Sequence, residues 1–298
     1  MPDPLALYHP TSLEETVGLL GSLDDAKIVA GSTALTIMLR QRLIAPSALI
    51  DISRLPGLDG IEVGQDAITL GALVRHRAVE RHAGIRERLP VLAEVFGVVA
   101  NVRVRNAATV GGVLAESDYA SDPPAVFVAL DAEVEVFGPN GARTIPIAEF
   151  FVAFYETAIE HDEVVTGVRV PIPAAGSGAV YEKFVTRSSE DRPCVGVAAV
   201  VRLGADDVVD DLRVSVGAAA ETPQRFPDLE TAAVGRRFED GLLREIADGY
   251  AERIEALDDM RGSAWYRTEV TKVWIRRGLE HAAERARAGG STGRAVQG

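Results

Sequence analysis

A short run of small residues, Ala-Ala-Gly-Ser-Gly at 174–178, divides the 298-residue chain into two parts with different patterns. Such a run is typical of a connection between domains, because glycine and serine impose little stiffness. Before it, short apolar segments alternate with predicted helices, whereas after it three predicted strands precede two long predicted helices. The sequence therefore predicts an α+β protein with an N-terminal domain over 1–174, a C-terminal domain over 179–285 and a disordered tail over 286–298.

The N-terminal domain is predicted to contain two α/β subdomains, over about residues 1–55 and 56–174. In the first subdomain, Ser12 stands three residues before Glu15, a capping box that predicts the start of a helix. Downstream, two apolar strands with a helix between them predict a βαβ-type layer: Lys27–Ala30, Ala34–Leu43 and Ala48–Ile52.

Turn motifs and apolar segments predict the remaining elements of the chain. Gly138-Pro139-Asn140-Gly141 predicts a hairpin, and one helix is predicted over Arg86–Phe96. The C-terminal domain is predicted to combine an antiparallel sheet with two helices, from these segments: Ala179–Val185, Gly196–Leu203, Leu212–Val216, Phe238–Ile254 and Ala264–Glu280.

Composition excludes several classes of function. The net charge of −13 argues against a nucleic-acid-binding protein, which needs a field that attracts phosphates. Cys194 is the one cysteine, so the chain cannot build a disulfide framework, a thiolate zinc site or an iron–sulfur cluster of its own. The five histidines lack metal-ligand spacing, and no metal site is predicted. The chain start lacks signal-peptide features and no apolar stretch approaches the ~20 residues of a membrane span, so we expect a cytoplasmic protein.

A first glycine-containing turn follows the predicted strand that ends at Ala30. Gly31, Ser32 and Thr33 lie there between a buried strand and a helix, where free backbone N–H groups and a helix dipole suit a pyrophosphate. The alternative is an ordinary helix N-cap, since serine and threonine are common at that position.

A second glycine-containing turn contains Thr109 and the pair Gly111-Gly112. Paired glycines allow a tight, non-helical turn against a ligand, to which Thr109 can donate a hydroxyl hydrogen bond. Further along, Asp122 can accept a hydrogen bond from a ribose hydroxyl. Alternatively, Asp122 caps a helix that has Pro123 in its first turn.

Both turns, in this order, belong to a longer pattern. It runs AGSTALTIMLRQRL from Ala30, VRNAATVGG from Val104 and SDPPAVFVALDA from Ser121, and it continues in YEKFVTRSSEDRPCVGVAAVVRL from Tyr181 and GSAWYRTEVTKVWIRRGLE from Gly262. This pattern resembles the FAD-binding medium subunit of the molybdenum hydroxylases, the family of carbon monoxide dehydrogenase, xanthine dehydrogenase and the aldehyde oxidoreductases. The resemblance covers nearly the whole chain.

The resemblance implies that the two N-terminal subdomains form an FAD-binding domain of the vanillyl-alcohol-oxidase-like type. It assigns residues to the cofactor, with a lysine that reaches toward the flavin, and it assigns no catalytic side chain. The cofactor-binding residues implied are Ile28, Val29, Ala30, Gly31, Ser32, Thr33, Ala34, Ala108, Thr109, Gly111, Gly112, Leu114, Ala115, Asp122, Val165 and Lys183.

The resemblance also implies an electron-transfer role. A large molybdenum–pterin subunit oxidises the substrate, a small subunit carries two [2Fe–2S] clusters, and FAD on this chain passes electrons to NAD⁺, quinone or oxygen, in a dimer of heterotrimers. Val113 and Tyr119 depart from the family pattern. They leave open a flavin-free binding or assembly protein of the same fold, and a stand-alone flavin oxidoreductase is a further alternative.

Overall fold

The first subdomain is a three-stranded parallel sheet. The computed structural model describes residues 5–293, and side chains as far as residue 289. The sheet has the order β1-β3-β2, with both outer strands parallel to β3. This confirms the predicted βαβ-type layer. Its elements are β1 (Ala6–Tyr8), α1 (Leu13–Ser22), β2 (Ala26–Val29), α2 (Leu35–Arg40) and β3 (Ala48–Asp51).

The start of α1 shows why this segment is helical. The hydroxyl oxygen of Ser12 accepts a hydrogen bond from the backbone N–H of Glu15 at 3.1 Å. In return, the Glu15 carboxylate accepts from the backbone N–H of Thr11 at 2.7 Å. Two N-terminal donors are satisfied in this way, as the capping box predicts, although the carboxylate reaches one residue further back than in the standard motif.

The second subdomain is a five-stranded antiparallel sheet with helices on it, in the order β4-β5-β10-β6-β7. Its first elements are β4 (Ile61–Val63), β5 (Ala67–Gly71), α3 (His76–Arg81), α4 (Ala83–Arg88), α5 (Pro90–Gly97), α6 (Val102–Ala107) and α7 (Val110–Glu116). The others are α8 (Pro123–Ala129), β6 (Glu133–Gly138), β7 (Gly141–Pro146), α9 (Ile147–Phe150), β8 (Phe151–Ala153), β9 (Glu156–Thr157) and β10 (Val164–Pro171).

In this subdomain one predicted element, a hairpin, is confirmed, and another, a helix, is wrong. The hairpin is confirmed, because β6 and β7 pair across Pro139 and Asn140. The single helix predicted over Arg86–Phe96 is wrong: it is divided into α4 and α5 at Pro90. Proline has no N–H for the helix ladder, and its ring clashes with the preceding turn, so a helix ends before it and a new one begins with it.

The C-terminal domain is an antiparallel sheet of order β11-β12-β13 with long helices packed on it, as predicted. A short 3₁₀ turn, Ala205–Asp207, joins the last two strands. Its elements are β11 (Ser177–Phe184), β12 (Val195–Leu203), β13 (Val209–Gly217), α10 (Pro227–Ala233), α11 (Asp240–Arg253) and α12 (Ala264–Gly293).

Helix α12 corrects two expectations. Gly178, expected in a connection, belongs to β11, and a Cβ on it would lie 2.5 Å from the backbone nitrogen of Ala286. The helix therefore packs directly on this strand. Residues 286–293, expected in a disordered tail, continue the helix. There the Arg287 guanidinium contacts Asp207 at 3.1 Å. Residues 294–298 of the expected tail lie outside the described residues.

Strand β12 joins the two domains. Ala198 and Val200 belong to the core of the second subdomain, whereas Val197, Ala199 and Val201 belong to the core of the C-terminal domain. Successive side chains point to opposite faces of a strand, so one strand contributes to both cores. In the part of the chain that the structure describes, no helix is both long and apolar enough to cross a bilayer.

Candidate functional site

The turn between β2 and α2 presents a row of backbone donors. Among the described residues, none accepts a hydrogen bond from the backbone N–H groups of residues 31–34. Every residue from Ile28 to Ala34 is half-buried. Ser32 lies in the left-handed region, with φ +57°, and its hydroxyl contacts that of Thr36 at 2.9 Å. Consecutive free N–H groups at a turn before a helix form a site for an anion.

The second turn has a different construction. Thr109 is the N-cap of α7, and its hydroxyl oxygen accepts from the N–H of Gly112 at 3.1 Å. The N–H of Gly111 donates to the carbonyl of Ala72 at 2.8 Å. The expected non-helical conformation is therefore wrong, because both glycines lie in the first turn of a helix, where their N–H groups donate to acceptors within the protein.

Gly111 lies very close to Ala72. A Cβ on it would lie 2.6 Å from the Cβ of Ala72. The residue is buried, whereas Gly112 is exposed. The absence of a side chain at 111 thus allows α7 to pack against the residue that follows β5.

The two turns meet at one point. A Cβ on Gly31 would lie 2.9 Å from the Cα of Ala108, and it would also contact the carbonyl oxygen of Ala107. The structure therefore brings the first turn, with its free donors, against the backbone at the end of α6. The first turn therefore contains the N–H donors, and the backbone that leads into the second turn packs against it.

Arg75 and His76 hold this supporting backbone in place. The Arg75 guanidinium donates to the carbonyl of Ala107, and the backbone N–H of His76 donates to the carbonyl of Ala108 at 3.0 Å. The role of Arg75 was not predicted from the sequence, since an arginine after a strand carries no signal for a contact 32 residues away.

The His76 ring is neutral. Its Nε2 lies 3.1 Å from the carbonyl oxygen of Thr109, and a carbonyl can only accept, so Nε2 carries the proton. In the described part of the chain Nδ1 is buried without a partner. Burial lowers the pKa of His76 to about 4, and the Arg105 guanidinium adds to this, against the hydrogen bond to Thr109. The Phe96 ring packs edge-on against the imidazole, 4.8 Å between centroids.

Asp122 and Lys183 come together at the domain boundary. Asp122 precedes α8 but makes no capping hydrogen bond. Its Oδ1 accepts from the Tyr181 hydroxyl at 2.8 Å, and its Oδ2 from the Lys183 ammonium at 3.1 Å. Burial raises the pKa of Asp122 to about 6, although Lys183 and Tyr181 act in the opposite direction. No hydrogen bond or ion pair between described residues joins this cluster directly to the first turn.

Both domains match families of known proteins. A family model described as the FAD binding domain in molybdopterin dehydrogenase matches residues 3–173. One described as the CO dehydrogenase flavoprotein C-terminal domain matches residues 179–282. The chain belongs to this flavoprotein family.

Relatives and solved structures agree over nearly the whole length. The chain is 35% identical to the carbon monoxide dehydrogenase medium chain of Hydrogenophaga pseudoflava, covering 92% of this chain and 96% of that one. It is 34% identical to the nicotine 6-hydroxylase medium subunit of Paenarthrobacter nicotinovorans, covering 93% and 96%. A structure of the Hydrogenophaga pseudoflava carbon monoxide dehydrogenase that lacks the Mo-pyranopterin moiety superposes with a TM-score of 0.91, covering 96% of this chain and 99% of that chain. The predicted family, the mixed α and β fold, the oxidoreductase class and FAD as the cofactor are confirmed.

The first turn of this flavoprotein fits its cofactor, because free N–H groups complement a pyrophosphate. The apolar residues assigned to the cofactor differ in their exposure to solvent. Leu114 is fully buried and shares a core with Val165, whereas Ala115 is exposed. Among the described residues, no group of three His, Cys, Asp or Glu side chains could hold a metal ion.

Tyr119, a departure from the family pattern, lies in a contact between the domains. Its hydroxyl donates to Oδ2 of Asp259 at 2.6 Å and accepts from the Arg261 guanidinium at 2.8 Å. The edge of its ring meets the Phe154 ring, 5.3 Å between centroids. Val113, the other departure, is buried. Both side chains therefore have structural contacts within the protein.

Proposed function

We propose that this chain binds FAD with the pyrophosphate on the backbone N–H groups of residues 31–34. The observation that carries the proposal is this row of donors, to which no residue in the described part of the chain supplies an acceptor and which packs against the backbone of Ala107 and Ala108. Neighbouring peptide dipoles aimed at one point stabilise negative charge without a lysine or arginine. The family match over residues 3–173 supports the same assignment.

The other residues assigned by resemblance belong to the same proposal. Thr109 adds a hydroxyl donor, because its oxygen accepts from Gly112 while its hydrogen meets no acceptor in the described part of the chain. Asp122, Val165 and Ala115 contribute to the walls of the site, and Leu114 supports them from the core. None of these side chains acts as a general acid or base.

We further propose that the chain relays electrons within a larger complex. FAD supplies reversible one- and two-electron chemistry when it is bound. The electrons come from [2Fe–2S] clusters on a small subunit, which serves a large molybdenum–pterin subunit, and they leave to NAD⁺, quinone or oxygen. The names of the relatives as medium chains support partner subunits, and the single cysteine requires that any cluster lie on another chain. We propose a dimer of heterotrimers in the cytoplasm.

The first experiment is a visible absorption spectrum of the purified chain, with chromatography of the flavin released by heat. Release of intact FAD is expected, and an otherwise identical preparation of Gly31→Ala should release much less. A folded chain that contains no flavin and takes up none would contradict FAD binding. Co-purification with a large and a small subunit tests the electron relay separately, and a chain that reduces acceptors without them would indicate a stand-alone oxidoreductase.

A further inference from the structure

The two faces of the parallel sheet are covered unequally. The chain crosses from β1 over β3 to β2 and then returns to β3, and right-handed crossovers place α1 and α2 on opposite faces. On the α1 face, Val17 and Leu20 share a core with Ile50. On α2, by contrast, no residue is buried, and Ile37 is exposed. Parallel sheets are normally covered on both faces, so the α2 side of this sheet is incompletely covered.

Strand β1 shows the same incomplete cover. Leu7 stands beside Leu49, and Leu49 stands beside Lys27. Tyr8 stands beside Ile50, which belongs to the core on the α1 face. Since side chains alternate along a strand, Leu7 points to the α2 face, and there it is exposed. Exposed apolar residues that share one side of a domain are typical of an interaction surface.

Helix α2 ends in a Schellman motif that has an arginine where glycine is usual. The N–H of Leu43 donates to the carbonyl of Met38 at 2.9 Å, and the N–H of Arg42 donates to that of Leu39 at 3.1 Å. Arg42 has φ +57°, a conformation in which its Cβ crowds the backbone. Leu43 is 68% exposed, although the apolar residue at this place in the motif normally packs on the last helical turn. A strained residue thus places a cation and an apolar side chain next to each other in solvent, and such strain is typical of functional sites.

The charge of this segment is opposite to that of the whole chain. The net charge of the chain is −13, whereas residues 26–54 contain four cations and one carboxylate. Arg40 and Arg42 are exposed, and neither forms an ion pair with a described residue. A second copy docked on the same surface through a two-fold axis would bring these arginines together, and like charges repel. The surface therefore suits a different chain with an acidic contact region.

We propose that the α2 surface, formed by Leu7, Ile37, Arg40, Arg42 and Leu43, docks the small [2Fe–2S] subunit. The matching surface of that subunit has an apolar centre and a rim of carboxylates. The choice of the small subunit rests on the proposed function, in which its clusters donate electrons to FAD. The rate of electron transfer falls steeply with distance, and α2 begins at the turn proposed to hold the pyrophosphate. Because its six residues span only about 9 Å, the α2 surface lies close to the cofactor.

Photocrosslinking in the assembled complex identifies the occupant. The photoreactive amino acid benzoylphenylalanine replaces Ile37 or Leu43 in the full chain, which is produced together with the large and small subunits. Irradiation should join both variants to the small subunit. The same replacement at Val234, which is 50% exposed and follows the short helix α10, is the matched control and should give no such product. Crosslinks to the large subunit or to a second copy of this chain, or none from either position, would overturn the proposal.

Arg42→Gly separates docking from folding. Glycine adopts the left-handed conformation without strain, so the isolated variant should unfold at a higher urea concentration than the wild type. Its affinity for the assembled large and small subunits should nevertheless fall about tenfold, as should that of Leu43→Asp. Val234→Asp is the control and should bind them like the wild type. Wild-type affinity in either Arg42→Gly or Leu43→Asp would overturn the proposal.

Salt and flavin content complete the test. The affinity of the wild type should fall more steeply with salt concentration than that of Arg42→Gly, and equal slopes would contradict the charge complementarity. Failure of the proposed function is seen independently, as a wild-type chain that binds no FAD or joins no other subunit. A wild type that assembles normally, but whose α2 surface crosslinks to nothing, contradicts the docking surface alone.

Discussion

Gly31 lies against Ala108 so closely that a Cβ on residue 31 would stand 2.9 Å from the Cα of Ala108. The contact joins two parts of the sequence that are 77 positions apart, and both sides of it are backbone. Neither side can therefore yield by a change of rotamer. This contact sets the relative position of the two glycine turns, and with it the position of the backbone N–H groups of residues 31–34, for which no described residue supplies an acceptor.

Gly31→Ala should separate the two turns. Because the added methyl group meets backbone atoms, we expect a loss of FAD affinity of about tenfold or more and a loss of about 1–3 kcal/mol in the free energy of unfolding. Flavin fluorescence titration and urea unfolding measure these two effects. Gly18→Ala is the control: that glycine is exposed within α1 and a Cβ meets nothing within 4 Å. It should raise stability by about 0.5–1 kcal/mol and leave the affinity unchanged.

Gly111→Ala should mainly lower the free energy of unfolding. The new Cβ would stand 2.6 Å from the Cβ of Ala72, so α7 must move away from the residue after β5. We expect a loss of about 1–3 kcal/mol in the free energy of unfolding, measured by urea denaturation without flavin. Gly241→Ala is the matched control, because Gly241 is also the second residue of its helix and has nothing within 4 Å. Equal stabilities for the two variants would show that the packing against Ala72 is loose.

Local sequence patterns predicted the elements that local chemistry determines. The capping box at Ser12 and the hairpin around Asn140 both depend on neighbours within a few residues. The division at Pro90 was predictable from proline chemistry as well, but the apolar periodicity on both sides favoured one continuous helix.

The candidate site was predicted only in part, because its second half depends on distant partners. Thr109 and the two following glycines suit either a loop around a ligand or the first turn of a helix. Ala72 decides between them by accepting the N–H of Gly111. The same holds for Asp122, whose carboxylate is engaged by residues about 60 positions further along the chain. The sequence around Tyr181 carries no signal for the contact of its hydroxyl with Asp122.

Glu116→Gln should stabilise the protein at neutral and alkaline pH. Burial, together with the nearby Asp118 carboxylate, raises the pKa of Glu116 to about 7, and its Oε1 has no hydrogen-bond partner among the described residues. Between the ordinary pKa near 4.5 and about 7, the folded state binds more protons than the unfolded state, so stability falls as the pH rises. Glutamine avoids this loss, which we estimate at about 3 kcal/mol at pH 8.

Urea unfolding of wild type and Glu116→Gln at pH 4.5 and pH 8 measures this effect. The difference between the two proteins should be small at the lower pH and should grow at the higher one. Glu87→Gln, which changes an exposed glutamate on α4, should show no such growth. A constant difference across the range would mean that Glu116 ionises as freely as it does in water.

His76→Gln should make the protein more resistant to acid. The pH dependence is opposite to that of Glu116, because stability is lost here as the pH falls. Burial lowers the pKa of His76 to about 4, so between about pH 6.5 and 4 the unfolded state binds more protons and stability falls as the pH falls. Glutamine can still donate to the Thr109 carbonyl from nearly the same position but does not titrate in this range.

The wild type should therefore lose about 2 kcal/mol more than the variant between pH 7 and pH 4.5. His161→Gln, at an exposed position, is the control and should follow the wild type. FAD retention by the wild type should fall over the same pH range, because the protonated imidazole would be buried directly against the backbone that supports Gly31. Equal acid sensitivity of wild type and His76→Gln would show that another group controls the transition.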